Sequence, residues 1–248
     1  MDLRGKTAIV TGGGTGLGRA ISLRLAAEGS QLAIVYSRSE REARETAAEC
    51  TAGGSRAIIA RADVAIESEV RVMVDQVREQ LGRVDVLVNN AGWTVFHPIA
   101  DLEAIQEADW DRIMAVNVKA HFFTARAVAP LMREQGGGAI VNITSIAGLA
   151  PRGSSLPYVV SKAGAIMLCK CLALALAPAI RVNNVAPGLL RTRWWGDTPV
   201  ELVEEYEQTS ALKRATPIED VAEAVLLAVT NDSITGQTIV VDSGLHFH

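Results

Sequence analysis

The feature that most constrains this chain is a regular alternation of short apolar runs with longer segments of helical period. Seven runs are strand-like: TAIVT at 7–11, LAIVY at 32–36, RAIIARAD at 56–63, VDVLVNN at 84–90, AIVNIT at 139–144, IRVNNVAPG at 180–188 and TIVVD at 238–242. Runs that are apolar without alternation are typical of strands buried on both faces of a parallel sheet. The pattern therefore predicts an α/β, Rossmann-like, doubly wound sheet of about seven parallel strands with helices on both faces.

The chain is predicted to form a single domain, residues 1–248. Its length suits one large α/β domain, and apolar residues make up 49%, enough to bury a full core. We find no linker, repeat or low-complexity segment. Residues 189–213 form the longest stretch without a strand-like run, so we expect a functional excursion there with helical pieces.

Composition argues against several classes of function. The net charge is −4 and no Lys/Arg cluster is present, so no nucleic-acid partner is expected. The start, MDLRGKTAIV, enters a strand-like run without a secretory segment, and no apolar stretch reaches the roughly 18 residues of a membrane span. The three cysteines, Cys50, Cys169 and Cys171, lack metal-ligand spacing. We therefore expect reduced thiols, a cytoplasmic location and no metal site.

A glycine-rich loop, TGGGTGLG, follows the first strand and opens the first helix, from Thr11 to Gly18. Gly12 would permit a tight turn, Gly16 a close backbone approach, and Gly18 the packing of the helix on the strand. The start of the helix would offer free N–H groups and a positive dipole to a pyrophosphate. Many turns are rich in glycine, but this position in the chain favours a dinucleotide site.

The residues after the second strand bear on the choice of cofactor. Many dinucleotide folds place Asp or Glu there to hold the ribose hydroxyls, whereas this chain has Tyr36, Ser37 and Arg38. A carboxylate would repel a 2′-phosphate, but an arginine and a hydroxyl would bind one. The segment favours NADP(H) over NAD(H), and the alternative is an arginine that is merely solvated at a helix start.

A tyrosine and a lysine lie four residues apart in SSLPYVVSKAG, at 154–164. Positions i and i+4 share one helix face, so Tyr158 and Lys162 would point into the same pocket. A free tyrosine has a pKa of about 10, and a neighbouring ammonium lowers it by stabilising the phenolate. Tyr158 could then act as general acid or base, while Ser145, at a strand end, orients the substrate oxygen. Taken singly, such a tyrosine usually packs in a core.

Six motifs in chain order resemble those of the short-chain dehydrogenase/reductases, in their compact single-domain subgroup. They are TGGGTGLG, ADV at 62–64, NNAG at 89–92, the set Asn117–Ser145–Tyr158–Lys162, PGLLRT at 187–192 and TGQTIVVDSG at 235–244. The resemblance implies that those four residues are the catalytic tetrad, in which Asn117 supports a water-mediated proton relay to Lys162. It implies a cofactor site made of Gly12, Gly14, Thr15, Gly16, Leu17, Gly18, Ser37, Arg38, Asp63, Val64, Asn90, Ala91, Gly92, Tyr158, Lys162, Pro187, Gly188, Leu190 and Thr192.

The function that this resemblance implies is an NADP(H)-dependent oxidoreductase that interconverts a ketone and a secondary alcohol. The substrate would be a small carbonyl compound or alcohol, carried as a 3-oxoacyl thioester in members that the chain resembles. Reduction of a pterin, quinone, steroid or sugar carbonyl is an alternative. A non-catalytic NADP-binding regulatory protein is another, but it would be expected to lack a tetrad residue, and all four are present. The resemblance also implies a homotetramer.

Three tryptophans are the candidate substrate residues. Trp93 follows NNAG, and Trp194 and Trp195 lie in the 189–213 excursion, where the resemblance places a substrate lid. They suggest a bulky or flat apolar substrate group, although they could equally pack the lid or a subunit contact. Arg191 and Arg193 could meet an anionic carrier or be merely solvated, and His246 and His248 are interpreted as tail residues.

Overall fold

The computed structural model describes residues 1–195 and 200–247. Seven strands form one parallel sheet in the order β3-β2-β1-β4-β5-β6-β7. The strands are β1 Thr7–Thr11, β2 Gln31–Tyr36, β3 Ala57–Arg61, β4 Val86–Asn89, β5 Gly138–Ile143, β6 Ile180–Pro187 and β7 Thr238–Val241. The predicted α/β sheet is confirmed, strand by strand.

Helices cover both faces of the sheet. They are α1 Gly16–Ala27, α2 Glu40–Ala52, α3 Glu67–Leu81, α4 Glu107–Met114, α5 Ala120–Glu134, α6 Leu156–Leu176, α7 Val200–Gln208 and α8 Ile218–Thr230. One apolar core joins α3, α5 and α6 to the sheet, and a second joins α1, α2 and α8 to its other face. Neighbouring strand residues alternate between them: Ile9 lies in the first core, and Ala8 and Val10 lie in the second. Burial on both faces explains why the strands are apolar throughout.

The strand order reverses at β1, which has β2 on one side and β4 on the other. The connections after β1 and β4 therefore leave the sheet in opposite directions and open a crevice at the carboxyl ends of these strands. The glycine loop begins at this point, and the NNAG segment follows β4. The topology thus brings the two motifs together although about 80 residues separate them.

A ladder of polar side chains crosses four strands, from Asn89 at the carboxyl end of β4, through the buried Asn142 and Asn184, to the part-buried Thr238 at the start of β7. Asn89 Nδ2 donates to Asn142 Oδ1 at 2.9 Å, and Asn142 Nδ2 donates to Asn184 Oδ1 at 3.4 Å. Asn184 Nδ2 donates to Thr238 Oγ1 at 3.1 Å, and Thr124 of α5 donates to Asn89 Oδ1 at 2.8 Å. Each strand-to-strand bond joins residues that are register partners. Because a slip of one residue would bury these amides without partners, the ladder helps to fix the register of β4 to β7.

The segment DRIMAVNVKAHFF, residues 111–123, predicts one helix that carries Asn117, and the structure differs from it. A π-helical segment, Ala115–Lys119, separates α4 from α5. Such single-turn bulges insert one residue into a helix and are frequent at functional sites. Asn117 lies in the middle of the bulge and is fully buried.

Candidate active site

A cavity of about 1110 Å³ opens at the crevice and gathers most of the predicted site residues. Its lining includes the glycine loop, residues 36–39 after β2, residues 90–94, Ser145, Tyr158, Lys162, residues 187–190, Thr192 and Trp194. An adjoining cavity of about 230 Å³ adds Asp63 and Val64. Asn117 lines neither cavity and lies buried behind the wall.

The glycine loop has the backbone geometry that its sequence predicts. Gly12 and Gly16 have φ of +63° and +49°, values that side chains disfavour. A Cβ on Gly18 would lie 2.1 Å from the carbonyl oxygen of Gly12, so α1 can approach the loop only through a glycine. Asn90 Nδ2 donates to the carbonyl oxygens of Thr11 and Gly12, at 3.0 and 3.2 Å. The NNAG segment therefore holds the glycine loop in place.

The start of α1 fits a bound pyrophosphate. Thr15 is the N-cap residue, but its side chain makes no capping hydrogen bond. The first N–H groups of α1 thus have no side-chain acceptor, and the residues that carry them, Gly16 to Gly18, line the cavity. Free N–H groups and the positive end of a helix dipole are suited to an anion.

Three of the four predicted tetrad residues, Ser145, Tyr158 and Lys162, line the main cavity. Ser145 follows β5, and its Oγ accepts a hydrogen bond from the Ala147 backbone N–H at 3.1 Å. Tyr158 lies in the first turn of α6, with Lys162 one turn later. Lys162 Nζ lies 5.5 Å from the centroid of the Tyr158 ring and donates to the carbonyl oxygen of Ile143 at 3.0 Å. Burial lowers the pKa of Lys162 to about 8.

The fourth, Asn117, holds the backbone beside the cavity. Its Oδ1 accepts from the Trp93 N–H at 2.9 Å, and its Nδ2 donates to the Trp93 carbonyl oxygen at 3.0 Å. The same Nδ2 donates to Ser161 Oγ at 3.0 Å. The amide thus ties the segment after NNAG to α6, and the relay to Lys162 that the resemblance implies stays a prediction.

The candidate substrate residues occupy different places. The indole of Trp194 lies over Tyr158, while Trp93 packs against the core that contains α3, α5 and α6 and also lines both cavities. The predicted excursion contains a 3₁₀ turn, Arg193–Trp195, and α7. Residues 196–199, the side chain of Trp195 and the tail residue His248 lie outside the part of the chain that the structure describes.

Two arginines, Arg112 and Arg193, lie near the predicted cofactor residues but are not among the cofactor ligands that the sequence predicts. Arg112 of α4 binds Asp63 with Nη1–Oδ2 and Nη2–Oδ1 distances of 2.9 and 3.3 Å. Burial raises the pKa of Asp63, but the bonds from Arg112 and from the Ala65 N–H outweigh it and hold that pKa below its usual value. Arg193 Nη2 donates to Thr15 Oγ1 and to Ser39 Oγ, at 2.9 Å each. The 49 and 178 residues between these partners leave no local sequence signal.

Another difference concerns Tyr36, expected to offer a hydrogen-bond donor to the cofactor. Its hydroxyl interacts with Glu40 of α2, and burial together with this carboxylate raises the pKa of Tyr36. Glu40 is exposed and also pairs with Arg44 at 2.6 Å. The other residues of this segment line both cavities and show no such contact with Glu40; they are Ser37, Arg38 and Ser39.

Comparison with known proteins agrees with this geometry. Residues 6–201 match the family model of the short chain dehydrogenases. The chain is 43% identical over 241 residues to the candidate ketoacyl reductase 2 of the granaticin polyketide synthase of Streptomyces violaceoruber, covering 96% of this chain and 95% of that protein. It is 38% identical over 244 residues to the 3-oxoacyl-acyl-carrier-protein reductase FabG of Staphylococcus epidermidis, covering 97% and 99%.

A solved structure shares the fold over nearly the whole chain. It is the NADPH-dependent 3-quinuclidinone reductase of Rhodotorula rubra, with a TM-score of 0.90 at 28% identity, covering 98% of this chain and 92% of that one. Family model, relatives and fold point to one class of enzyme. The chain therefore belongs to the short-chain dehydrogenase/reductase family, whose members bind NAD(P), and is an oxidoreductase acting on the pair of a ketone and its alcohol.

Proposed function

We propose that this protein is an NADP(H)-dependent reductase of a 3-oxoacyl thioester, with Tyr158 as the general acid. The observation that carries the proposal is the buried ammonium of Lys162, 5.5 Å from the Tyr158 ring and on the wall of the cavity that the glycine loop borders. Burying a charged group costs free energy, and buried ionisable groups with shifted pKa values cluster at functional sites. Here it lies where a phenolate would form.

The site residues have distinct roles in the reduction. A bound nicotinamide supplies the hydride that adds to the carbonyl carbon. Tyr158 gives its hydroxyl proton to the carbonyl oxygen, so that hydride and proton together convert the ketone to the alcohol. The ammonium of Lys162 stabilises the phenolate that remains. The Ser145 hydroxyl donates to the same substrate oxygen and orients it, and Trp194 covers Tyr158 and excludes water.

The predicted cofactor residues divide by the part of the dinucleotide that they would hold. The glycine loop and the start of α1 would hold the pyrophosphate, and Asp63 and Val64 would border the adenine. Asn90 to Gly92 and residues 187–192 would border the nicotinamide half, and Ser37 and Arg38 would bind the 2′-phosphate. NADP(H) is preferred because Arg38, which is exposed at the cavity, forms no hydrogen bond or ion pair with any residue that the structure describes.

The thioester substrate is supported by the names of two relatives, a candidate ketoacyl reductase and a 3-oxoacyl-acyl-carrier-protein reductase. The cavity suits an acyl chain, since Phe96, Leu189 and Trp194 contribute apolar side chains to its lining. A pterin, quinone, steroid or sugar carbonyl is the competing substrate class. A non-catalytic regulatory role is disfavoured by Ser145, Tyr158 and Lys162, which meet at one wall.

The test is NADPH oxidation, followed by absorbance, with a panel of 3-oxoacyl thioesters, quinones, pterins, steroid ketones and sugars. The wild type should turn over the thioesters, and Tyr158→Phe should lose about 10²–10⁴-fold in kcat. The NADP⁺ dissociation constant of this variant should stay within about twofold, because the ring still packs. If another carbonyl class reacts best, that class replaces the thioester as the proposed substrate. If Tyr158→Phe keeps full activity, Tyr158 is not the general acid.

We also propose a cytoplasmic homotetramer. Helix α6 has the length and composition of a membrane span, but only as weak evidence, and it packs against the sheet. Its exposed apolar residues Val160, Met167 and Leu174 recur every seven positions and are 43%, 57% and 83% exposed. A continuous stripe of this kind needs a cover, and a second copy of the helix would bury the two stripes against each other. Light scattering should show a tetramer in the wild type and smaller species for Met167→Glu/Leu174→Glu, whereas a monomeric wild type would refute the assembly.

A further inference from the structure

An arginine of the excursion reaches across the cofactor cleft. Arg193 is the first residue of the 3₁₀ turn Arg193–Trp195, and its Nη2 lies 2.9 Å from Thr15 Oγ1 in the glycine loop. The same nitrogen lies 2.9 Å from the Oγ of Ser39, the N-cap residue of α2. One guanidinium thus joins the loop after β1 to the segment after β2.

The charge of Arg193 is only weakly compensated. Among the described residues its nearest carboxylate is that of Glu42, 3.7 Å from Nη1, and Glu42 is shared with Arg41 at 3.6 Å. The shorter contacts are to neutral hydroxyls. By contrast, the neighbouring Arg191 has a closer carboxylate, with Nη2 2.9 Å from Glu207 Oε2. A guanidinium whose short contacts are to hydroxyls and whose described carboxylate neighbour is shared retains its capacity for an anion.

A second guanidinium converges on the same place. Arg38 directly precedes Ser39, and both Arg38 and Arg193 line the main cavity and the adjoining smaller one. The hydroxyls of Ser37, Ser39 and Thr15 lie among them. Two arginines and three hydroxyls form the donor set that suits a phosphate monoester, which carries close to two negative charges.

We propose that Arg193 is the second cation of the 2′-phosphate subsite, exchanging the hydroxyls of Ser39 and Thr15 for phosphate oxygens. This inference rests on the proposed use of NADP(H). It also links the two ends of the cleft, because Trp194, the next residue, lies over Tyr158. Binding of a 2′-phosphate would tie the turn that covers Tyr158 to the cofactor, and a cofactor without this phosphate would leave Arg193 on the hydroxyls of Thr15 and Ser39.

Direct binding tests the proposal without turnover. Calorimetric titration with NADP⁺, NAD⁺, 2′,5′-ADP and 5′-AMP compares the wild type with Arg193→Ala, Arg193→Lys and Arg38→Ala. The matched control is Arg19→Ala, which removes an exposed arginine of α1 that pairs with Glu49 and lines neither cavity. Arg193→Ala should weaken NADP⁺ and 2′,5′-ADP about ten- to a hundredfold, while NAD⁺ and 5′-AMP change by less than about threefold. Arg193→Lys should retain part of the affinity, and the control should match the wild type.

The outcomes separate the two proposals. A wild type that binds NADP⁺ no more tightly than NAD⁺ refutes the cofactor preference and, with it, the 2′-phosphate subsite. A wild type that prefers NADP⁺ and depends on Arg38 but not on Arg193 keeps the cofactor proposal and overturns the role of Arg193. Equal loss of NADP⁺ and NAD⁺ in Arg193→Ala also overturns it, since the arginine would then serve the pyrophosphate. Because Arg193 is 59% exposed, its replacement should not unfold the protein.

Discussion

The indole of Trp194 lies over the phenol of Tyr158, with ring centroids 6.0 Å apart and planes inclined by 52°. The far edge of the same indole lies 3.4 Å from the position that a Cβ on Gly92 would occupy. The Lys162 ammonium lies 5.5 Å from the centre of the same tyrosine ring. The candidate general acid thus has a buried charge and an indole as neighbours, and we expect Trp194 to affect access to its hydroxyl.

Replacement of Trp194 should change the substrate range more than the chemistry. Trp194→Ala removes an aromatic contact worth about 0.5–1.5 kcal/mol and an apolar wall. We expect kcat/KM to fall about tenfold for thioesters with bulky or aromatic acyl groups and to change little for short ones, with Trp194→Phe in between. Steady-state kinetics with an acyl-length series measures this, with the NADP⁺ dissociation constant as control. An equal loss on all substrates would instead assign Trp194 to the support of Tyr158.

Cofactor preference should depend on the end of β2. Arg38→Ala should lower kcat/KM for NADPH about ten- to a hundredfold with little effect on NADH, because it removes a charge-assisted bond to the 2′-phosphate. Tyr36→Asp should shift the preference towards NADH, since a carboxylate there repels the phosphate and accepts from ribose hydroxyls. Kinetics with both cofactors measures the ratio, with Arg19→Ala as the matched charge control. An Arg38→Ala enzyme that still prefers NADPH would leave this arginine as a solvated surface residue.

The buried ammonium of Lys162 should cost stability in a pH-dependent way. Its folded-state pKa of about 8 lies below the value of 10.5 for an unperturbed lysine. Between these values the unfolded chain binds the proton and the folded protein does not, so stability rises with pH across this window. Below about pH 8 both states are protonated, and the folded state bears the full cost of burial, on the order of 3 kcal/mol.

Lys162→Met removes this cost, so it should raise the free energy of unfolding at pH 7 while abolishing turnover. The gain should shrink as the pH approaches 10. Urea unfolding of both proteins at pH 7, 8, 9 and 10 measures the difference. A gain independent of pH would show that packing, not the charge, accounts for it.

Asn117 should act by positioning the backbone at the cavity. Asn117→Ala leaves the Trp93 N–H and carbonyl and the Ser161 hydroxyl without their partner, so we expect a loss of about 1–3 kcal/mol in stability. It should also lower kcat about 10–100-fold, because residues next to the cavity shift. The comparison variant Ser161→Ala removes one of the three bonds and should lose less. A kcat that falls equally at every pH supports positioning, whereas a loss that grows at one end of the pH profile supports the proton relay.

The asparagine ladder should contribute to stability. Asn142→Ala leaves Asn89 and Asn184 each without one buried partner, with an expected cost of about 1–3 kcal/mol. Gln80→Ala, an amide truncation on the exposed face of α3, should change stability by less than about 0.5 kcal/mol. Chemical denaturation measures both. Equal, small effects would mean that the sheet register does not depend on these amides.

The sequence by itself determined those features whose cause is local. Apolar runs predicted all seven strands, and the helical period between the third and fourth of them predicts a helix from about residue 67 to 81, which is α3, Glu67–Leu81. The positive φ angles of Gly12 and Gly16 follow from a turn that glycine alone adopts easily. The i, i+4 spacing set Tyr158 and Lys162 on one face because the helical repeat is fixed by backbone geometry.

Only the tertiary structure decided which distant residues meet. Arg193 reaches Thr15 across 178 positions, and Asp63 finds its counterion on α4, 49 positions away. The asparagine ladder exists because strand order and register bring these polar residues of four strands side by side. The π bulge, which carries Asn117 where a continuous helix was expected, has no periodic signature in the sequence. Such contacts depend on the path of the whole chain through the sheet, and no spacing within a short segment encodes that path.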